Sequence, residues 1–172
     1  MNKTLNLFLL TTALAVKAVA QVEYVNPMIG TDGMGHTFPG ACVPFGIVQL
    51  SPDTDTIPHN VDGKYQPQTY AYCAGYQYKD KTIVGFSHTH MSGTGHSDLG
   101  DILIMPMNEI RTETGKQNDI SFGYASKYSH KTEIARPEYY SLLVERYNIK
   151  AEMTATNRVG FHRYTYPVGK PA

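Results

Sequence analysis

Apolar and polar residues alternate along much of this chain, and they seldom recur every three or four positions. The clearest stretch is 149–156, where Ile149, Ala151, Met153 and Ala155 are interleaved with Lys150, Glu152, Thr154 and Thr156. That period-two pattern predicts a half-buried strand. Further strands are expected at 45–50, 76–78, 82–90, 101–107, 139–146 and 161–166. Pro52-Asp53, Asp62-Gly63, Ser92-Gly93 and 157–160 supply the turns between them. Short strands with polar turns and no intervening helices predict an all-β fold, an antiparallel β-sandwich. Two long segments, 26–44 and 52 to about 70, interrupt the pattern, and loops of this length in a compact domain usually carry function. The strand expected at 161–166 reads as mid-sheet with few residues after it, so the sandwich reads as incomplete, the front of a longer polypeptide.

The N-terminus follows a different rule. Lys3 precedes an apolar run of about a dozen residues, too short to span a bilayer as a helix. Ala18-Val19-Ala20 then forms a small-x-small cleavage pattern. Residues 1–20 therefore read as a signal peptide, and 21–172 as the domain, exported to a periplasmic or extracellular space with no membrane span. In such a compartment Cys42 and Cys73 could pair, closing a loop of roughly 31 residues worth about 3.5–4 kcal/mol, or remain two buried thiols. Spacing alone leaves both open.

Composition narrows the partners. Fifteen Lys and Arg balance fifteen Asp and Glu in 172 residues, so there is no basic excess to hold a nucleic acid. Mean hydropathy is −0.33, which excludes a membrane-embedded chain. Thirteen Tyr accompany six Phe and no Trp, a bias that suits half-exposed sheets and polar-ligand surfaces.

Chemistry concentrates in the run from Gly85 to Asp98, which holds His88, His90 and His96, three of the seven histidines. On one strand, His88 and His90 would share the face of Val84 and Phe86, continuing a core-facing line toward the open end of the sheet. They could bind zinc with His96 or Asp98 as a third ligand, bond backbone carbonyls, or line a substrate pocket. Gly93, Gly95 and Gly100 do not form a phosphate loop and are expected to permit a tight turn. Asp53/Asp55 and Asp98/Asp101 could be paired acids, but turn-capping is the plainer role. Ser87 and Ser92 lack the Gly-x-Ser-x-Gly elbow of a nucleophile.

Three blocks then form a recognisable series: Asn26-Pro27-Met28-Ile29-Gly30-Thr31-Asp32, Gly35-His36-Thr37-Phe38-Pro39-Gly40-Ala41, and Pro44 through Thr54. Gly85 through Gly95, Asp98 through Pro106, Ala135 through Tyr140 and Ala151 through Thr156 continue it. In this order the motifs resemble the opening of glycoside hydrolase family 92. The resemblance implies an N-terminal β-sandwich of a calcium-dependent, inverting exo-α-mannosidase, α-1,2-mannosidase-like, acting on mannose-rich glycans. It also implies a C-terminal (α/α) barrel, beyond this chain, that carries the catalytic acids and most calcium ligands. No catalytic residue is then expected here. His88 and His90 at the pocket mouth, with Asp32 and His36 in the glycine-rich loop, would bind substrate. Two positions depart from the family pattern: Tyr72, also expected to bind substrate, stands where Trp is common, so stacking on the sugar would weaken and hydrogen bonding be gained, which puts the linkage preference in question, and Glu138 stands where Gly is usual. The alternatives from other classes are a stand-alone carbohydrate-binding sandwich without catalysis and a small metal protein using His88, His90 and His96.

Overall fold

The structure, a computed structural model, describes residues 22–95 and 100–169. The leader at 1–20, the cleavage point, and His96 and Asp98 lie outside the described residues. The chain is almost entirely strand and loop, in the order β1 (Ala41–Cys42), β2 (Gln49–Asp53), β3 (Asn60–Val61), β4 (Lys64–Tyr65), β5 (Thr82–Ile83), β6 (Gly85–Ser87), β7 (Ser126–Lys127), β8 (Ile134–Arg136), β9 (Tyr139–Val144), β10 (Ile149–Ala155) and β11 (Gly160–Thr165). Two short 3₁₀ turns, Val22–Tyr24 and Pro67–Tyr72, are the helical elements among the described residues. None is long and apolar enough to cross a membrane.

Antiparallel pairing builds a four-stranded sheet, β11-β10-β9-β8, and a three-stranded sheet, β1-β2-β6, that packs over it. The expected sandwich is thus present. Ile149, Ala151, Met153 and Ala155 of β10 all point into the core, as their alternation requires. They meet Leu50, Phe86, Leu142 and Val144 between the sheets. Glu152 lies on the outer side of β10, where Arg163 holds its carboxylate with two bonds of 2.8 Å. Bonds from Arg163, then Lys150, draw that carboxyl down to about 2.

The tyrosine bias resolves in two ways. Tyr24, Tyr65, Tyr70 and Tyr78 are exposed and Tyr72, Tyr124, Tyr139, Tyr164 and Tyr166 half-buried, as expected, but Tyr76, Tyr128, Tyr140 and Tyr147 belong to the core itself. The hydroxyls of Tyr76, Tyr140 and Tyr147 are met from within. Tyr76 donates to Glu133 Oε1 at 3.0 Å and Tyr140 donates to the same oxygen, while Tyr147 donates to the Tyr124 carbonyl at 2.9 Å. Glu133, whose side chain is 1 % exposed, also pairs with His130 Nδ1 at 2.5 Å. A buried carboxylate is tolerable because these donors replace its water.

Four strand expectations need correction. The ladder expected at 45–50 starts only at Gln49, because Phe45 takes a φ of +59° and Gly46 closes a turn onto Val43. Conversely Pro52-Asp53, expected as a turn, lies inside β2. That is permitted because β1 pairs only with Gln49 and Leu50, leaving the edge at Pro52 unladdered on that side. The segment 76–78 is irregular: Gly75 has a φ of +80°, and Tyr78 N bonds Thr31 O instead of a strand partner. At 101–107 a single bridge, Ile104 to Phe86, forms between Ile102, with a φ of +55°, and Pro106, which has no amide to donate. Both cysteines are free thiols, Cys42 half-buried and Cys73 buried. Burial pushes both thiols up, so neither is a ready thiolate.

The β8–β9 connection carries the second departure from the family pattern. Arg136 pairs with Tyr139 across Pro137-Glu138, and Glu138 has a φ of +63°. A residue with a Cβ is strained there, by about 1–3 kcal/mol, where glycine is not. Replacing Glu138→Gly should therefore raise stability by about 1 kcal/mol after glycine's own entropy cost. Urea denaturation measures it, and a loss of stability would contradict the assignment of strain.

Candidate functional site

Three irregular segments converge beside the free end of the small sheet: the glycine-rich loop 26–40, the turn Pro67–Tyr72 with the residues after it, and 88–95. They are tied together by backbone. Gly93 N donates to His36 O at 2.7 Å, Tyr78 N to Thr31 O at 2.8 Å, and Thr54 N to Gly75 O at 2.8 Å. Gln77 crosses the same gap, its Nε2 donating to Gly33 O at 3.0 Å.

The structure gathers Asp32, His36 and Tyr72 around this junction. His36 is buried, its Nδ1–H donates to Thr94 O at 2.9 Å, and its ring meets Tyr70 edge-on at 5.1 Å. Its Nε2, left as an acceptor, has no partner among the described residues. Asp32 is exposed on the same loop and accepts from Gly33 N at 2.8 Å. Tyr72 is half-buried, with its hydroxyl near Asp80 and Gln117. Burial first, then the Asp80 carboxylate, pushes the phenol up, so it stays a neutral donor.

His88 and His90 part company. β6 ends at Ser87, so the shared strand face expected for the two histidines does not extend to them. His90 turns inward and is 3 % exposed. Its Nδ1–H donates to Gln49 O at 2.8 Å, and its Nε2 lies 3.1 Å from Asp53 Oδ1 and 3.1 Å from Ser87 Oγ. His88 is half-buried against β11, its Nε2 3.1 Å from His162 Nε2.

Asp53, Ser87 and His90 thus lie within hydrogen-bond reach, yet they do not form a nucleophilic triad. Such a triad needs the carboxylate on one ring nitrogen and the hydroxyl on the other. Here Asp53 Oδ2 takes the Ser87 hydroxyl at 2.7 Å and the Ser87 amide at 2.9 Å directly, while Nδ1 faces a carbonyl. The group is a clasp between β2, β6 and the loop after it. Burial opposes the charged imidazole, but Asp53 and the Gln49 carbonyl outweigh it, so the His90 pKa is raised. Phe38 packs on the His90 ring at 5.4 Å.

Two acidic groups went unremarked as environment-shifted sites in the sequence, which offers no sign of their burial. Asp55 accepts Ile57 N–H at 2.8 Å in a turn, as expected of a capping Asp, but desolvation lifts its carboxyl to about 6. It borders a groove of about 440 Å³ lined also by Pro58, Glu113, Lys116 and Phe122. Asp80, buried behind Tyr72, is likewise raised by burial. Among the described residues no three His, Cys, Asp or Glu side chains converge as a metal-binding set, and His88 and His90 face different partners.

An antiparallel all-β sandwich with long site-forming loops at one end is therefore the class of domain in hand. Residues 24–172 match the family model described as the Glycosyl hydrolase family 92 N-terminal domain, and the chain belongs to that family. It is 46% identical to the family GH92 alpha-mannosidase BT3965 from Bacteroides thetaiotaomicron, whose structure was solved in complex with mannoimidazole. That match has a TM-score of 0.76 and covers 85% of this chain and 18% of the other. The gh92 family glycosyl hydrolase ccman5 shares 30% identity at a TM-score of 0.67, over 87% of this chain and 19% of that one. An uncharacterized secreted glycosidase of Arthroderma benhamiae is 30% identical over 166 residues, 92% of this chain and 20% of the relative. The chain thus spans about a fifth of the length of the proteins it matches.

Gly75 is what permits the clasp. A Cβ there would lie 2.5 Å from Asp53 Oδ1 and 2.8 Å from His90 Nε2, at a φ of +80°. Gly75→Ala should cost about 1–3 kcal/mol from the backbone alone, and more from the displaced pair. A chemical-denaturation series reads this; a change below about 0.5 kcal/mol, the range of ordinary surface substitutions, would show that the clasp is loose.

Proposed function

We propose that this domain is the front of an exported, calcium-dependent, inverting exo-α-mannosidase that acts on mannose-rich glycans, α-1,2-linked ones in particular. It contributes pocket loops and leaves the catalytic acids to a C-terminal (α/α) barrel. The observation that carries the reading is family membership joined to 46% identity with an α-mannosidase crystallised with mannoimidazole. The secreted glycosidase relative and the leader-like pattern at 1–20 support export, to a periplasmic or extracellular space. In this reading the calcium ligands belong mostly to the rest of the enzyme, and no step is assigned to the ion here.

Within the pocket loops the roles divide by geometry. His36 is enclosed, its Nε2 included, so in this reading it supports the pocket loop from within. Asp32 offers an exposed carboxylate. Tyr72 presents ring surface in place of a Trp, with its hydroxyl near Asp80 and Gln117. His88 remains a candidate contact at the rim. His90 acts one step back: both its nitrogens are spent inside the protein, so it positions the loop 88–95 and does not itself touch the glycan.

The test is made in the enzyme with this segment joined to its natural continuation, assayed on mannobiosides. His36→Ala and Tyr72→Ala are expected to lower kcat/KM by at least about tenfold, chiefly through KM, a loss of about 1.4 kcal/mol of binding. His90→Ala should lower the thermal midpoint as well. Unchanged kcat/KM in both His36→Ala and Tyr72→Ala would remove these loops from the sugar site. Mannose-oligosaccharide binding by the segment alone, equal to that of the enzyme, would favour a stand-alone carbohydrate-binding module.

A further inference from the structure

The proposed mannosidase reading does not use His162, which pairs with His88, its candidate contact at the rim. The two come from different sheets: His88 follows β6, and His162 lies in the middle of β11. A run of hydrogen bonds fixes both rings. His88 Nδ1–H donates to the Ile102 carbonyl at 3.1 Å, and His162 Nδ1 lies 2.7 Å from the Tyr164 hydroxyl. Each Nδ1 is therefore occupied, and the two Nε2 atoms are left facing each other at 3.1 Å. The ring centroids are 4.9 Å apart with the planes inclined by 41°, so the rings do not stack; they converge on the gap between the nitrogens. Gly160 lets this happen, since a Cβ there would lie 3.1 Å from His88 Cδ2.

That geometry is the bite of a metal chelate. A late first-row divalent ion binds imidazole nitrogen at about 2.0–2.1 Å, which separates two such nitrogens by about 2.9 Å at a right angle and about 3.3 Å at the tetrahedral angle. The observed separation falls between the two. The partners on Nδ1, a backbone carbonyl and a hydroxyl, are the outer-shell groups that orient metal-binding histidines and keep Nε2 as the donor atom.

We propose that His88 Nε2 and His162 Nε2 chelate one late first-row divalent transition-metal ion, such as Zn²⁺ or Cu²⁺, with water completing its coordination, so that the ion clips the two sheets together at their rim. As the ion enters, His162 changes tautomer: the proton on Nε2 leaves to solvent and another is taken up at Nδ1, so the ring stays neutral, and the Tyr164 hydroxyl turns to accept from that Nδ1–H; nothing is oxidised or reduced. Both side chains are half-buried, and Asp101 and Ile102 beside His88 are exposed, so an ion reaches the pair from solvent. The proposal stands independently of the mannosidase reading, since it concerns imidazole donors and not the hard oxygen ligands that calcium takes.

The test uses tag-free full-length protein, stripped with chelator and kept in excess calcium so that oxygen sites stay filled. Cu²⁺ serves as the spectroscopic probe and Zn²⁺ as the thermal one. One equivalent of Cu²⁺ should bind with hyperfine coupling to two imidazole nitrogens, and Zn²⁺ should raise the thermal midpoint. His88→Gln and His162→Gln should each weaken binding by at least about tenfold, and Tyr164→Phe by less, whereas His59→Gln should leave it unchanged. A Cu²⁺ signal from unaltered protein showing fewer than two imidazole nitrogens overturns the proposal without recourse to any variant. Two-nitrogen binding that survives His162→Gln overturns it equally.

Discussion

The carboxylate of Asp53 is the point on which the candidate site hangs. It closes β2, where it receives the amide and hydroxyl of Ser87 from β6 and the Nε2 face of His90 from the loop beyond. A carboxylate so enclosed is tolerable only when charged donors replace its water, and breaking such a group by removing one partner is more costly than never having built it. The clasp thereby fixes three things together: the pairing of Ser51 with Ser87, the path of 88–95, and the position of Gly75, whose missing side chain makes room for it.

From there the order extends outward. Gly75 O receives Thr54 N, and Gln77 bonds back to the glycine-rich loop, so the residues around Tyr72, His36 and Asp32 are held by the same strand end. A second enclosed carboxylate, Glu133, does similar work on the other side of the molecule, gathering Tyr76, Tyr140 and His130. Tyr78 stacks on His130 at 4.0 Å and takes its backbone bond from Thr31, linking the two regions through one residue. The protein thus sets tyrosines into its core and turns two of their hydroxyls, those of Tyr76 and Tyr140, onto one buried acid.

What could be read in advance follows from where alternation operates. β9, β10 and β11 are long, half-buried and antiparallel, so their side chains report their faces, and the sandwich was legible from them and from the family motifs. β1, β3, β4 and β7 are two residues each, too short to carry a period. The clasp was illegible for another reason: Asp53 and His90 stand 37 positions apart, and His-x-His reads as one face only while the strand continues. It stops at Ser87. Glu133, in the polar run Lys131-Thr132-Glu133, looks like surface until the fold brings tyrosines to it. Likewise His162 gave no hint of its partner, since its side of β11 shows no apolar run. Tyr72 is half-buried with its hydroxyl near Asp80 and Gln117, a neighbourhood that no local pattern announces.

The central claim is that Asp53 holds His90 as a charged partner in a buried clasp. Titration of histidine-labelled protein by nitrogen NMR tests it directly. The account predicts that the His90 ring titrates above the ordinary 6.5. The stabilisation it lends should be full below that value and lost as pH rises through the raised pKa, and Asp53→Asn should bring the titration down. A His90 that titrates below the ordinary value, or one indifferent to Asp53→Asn, would contradict the account.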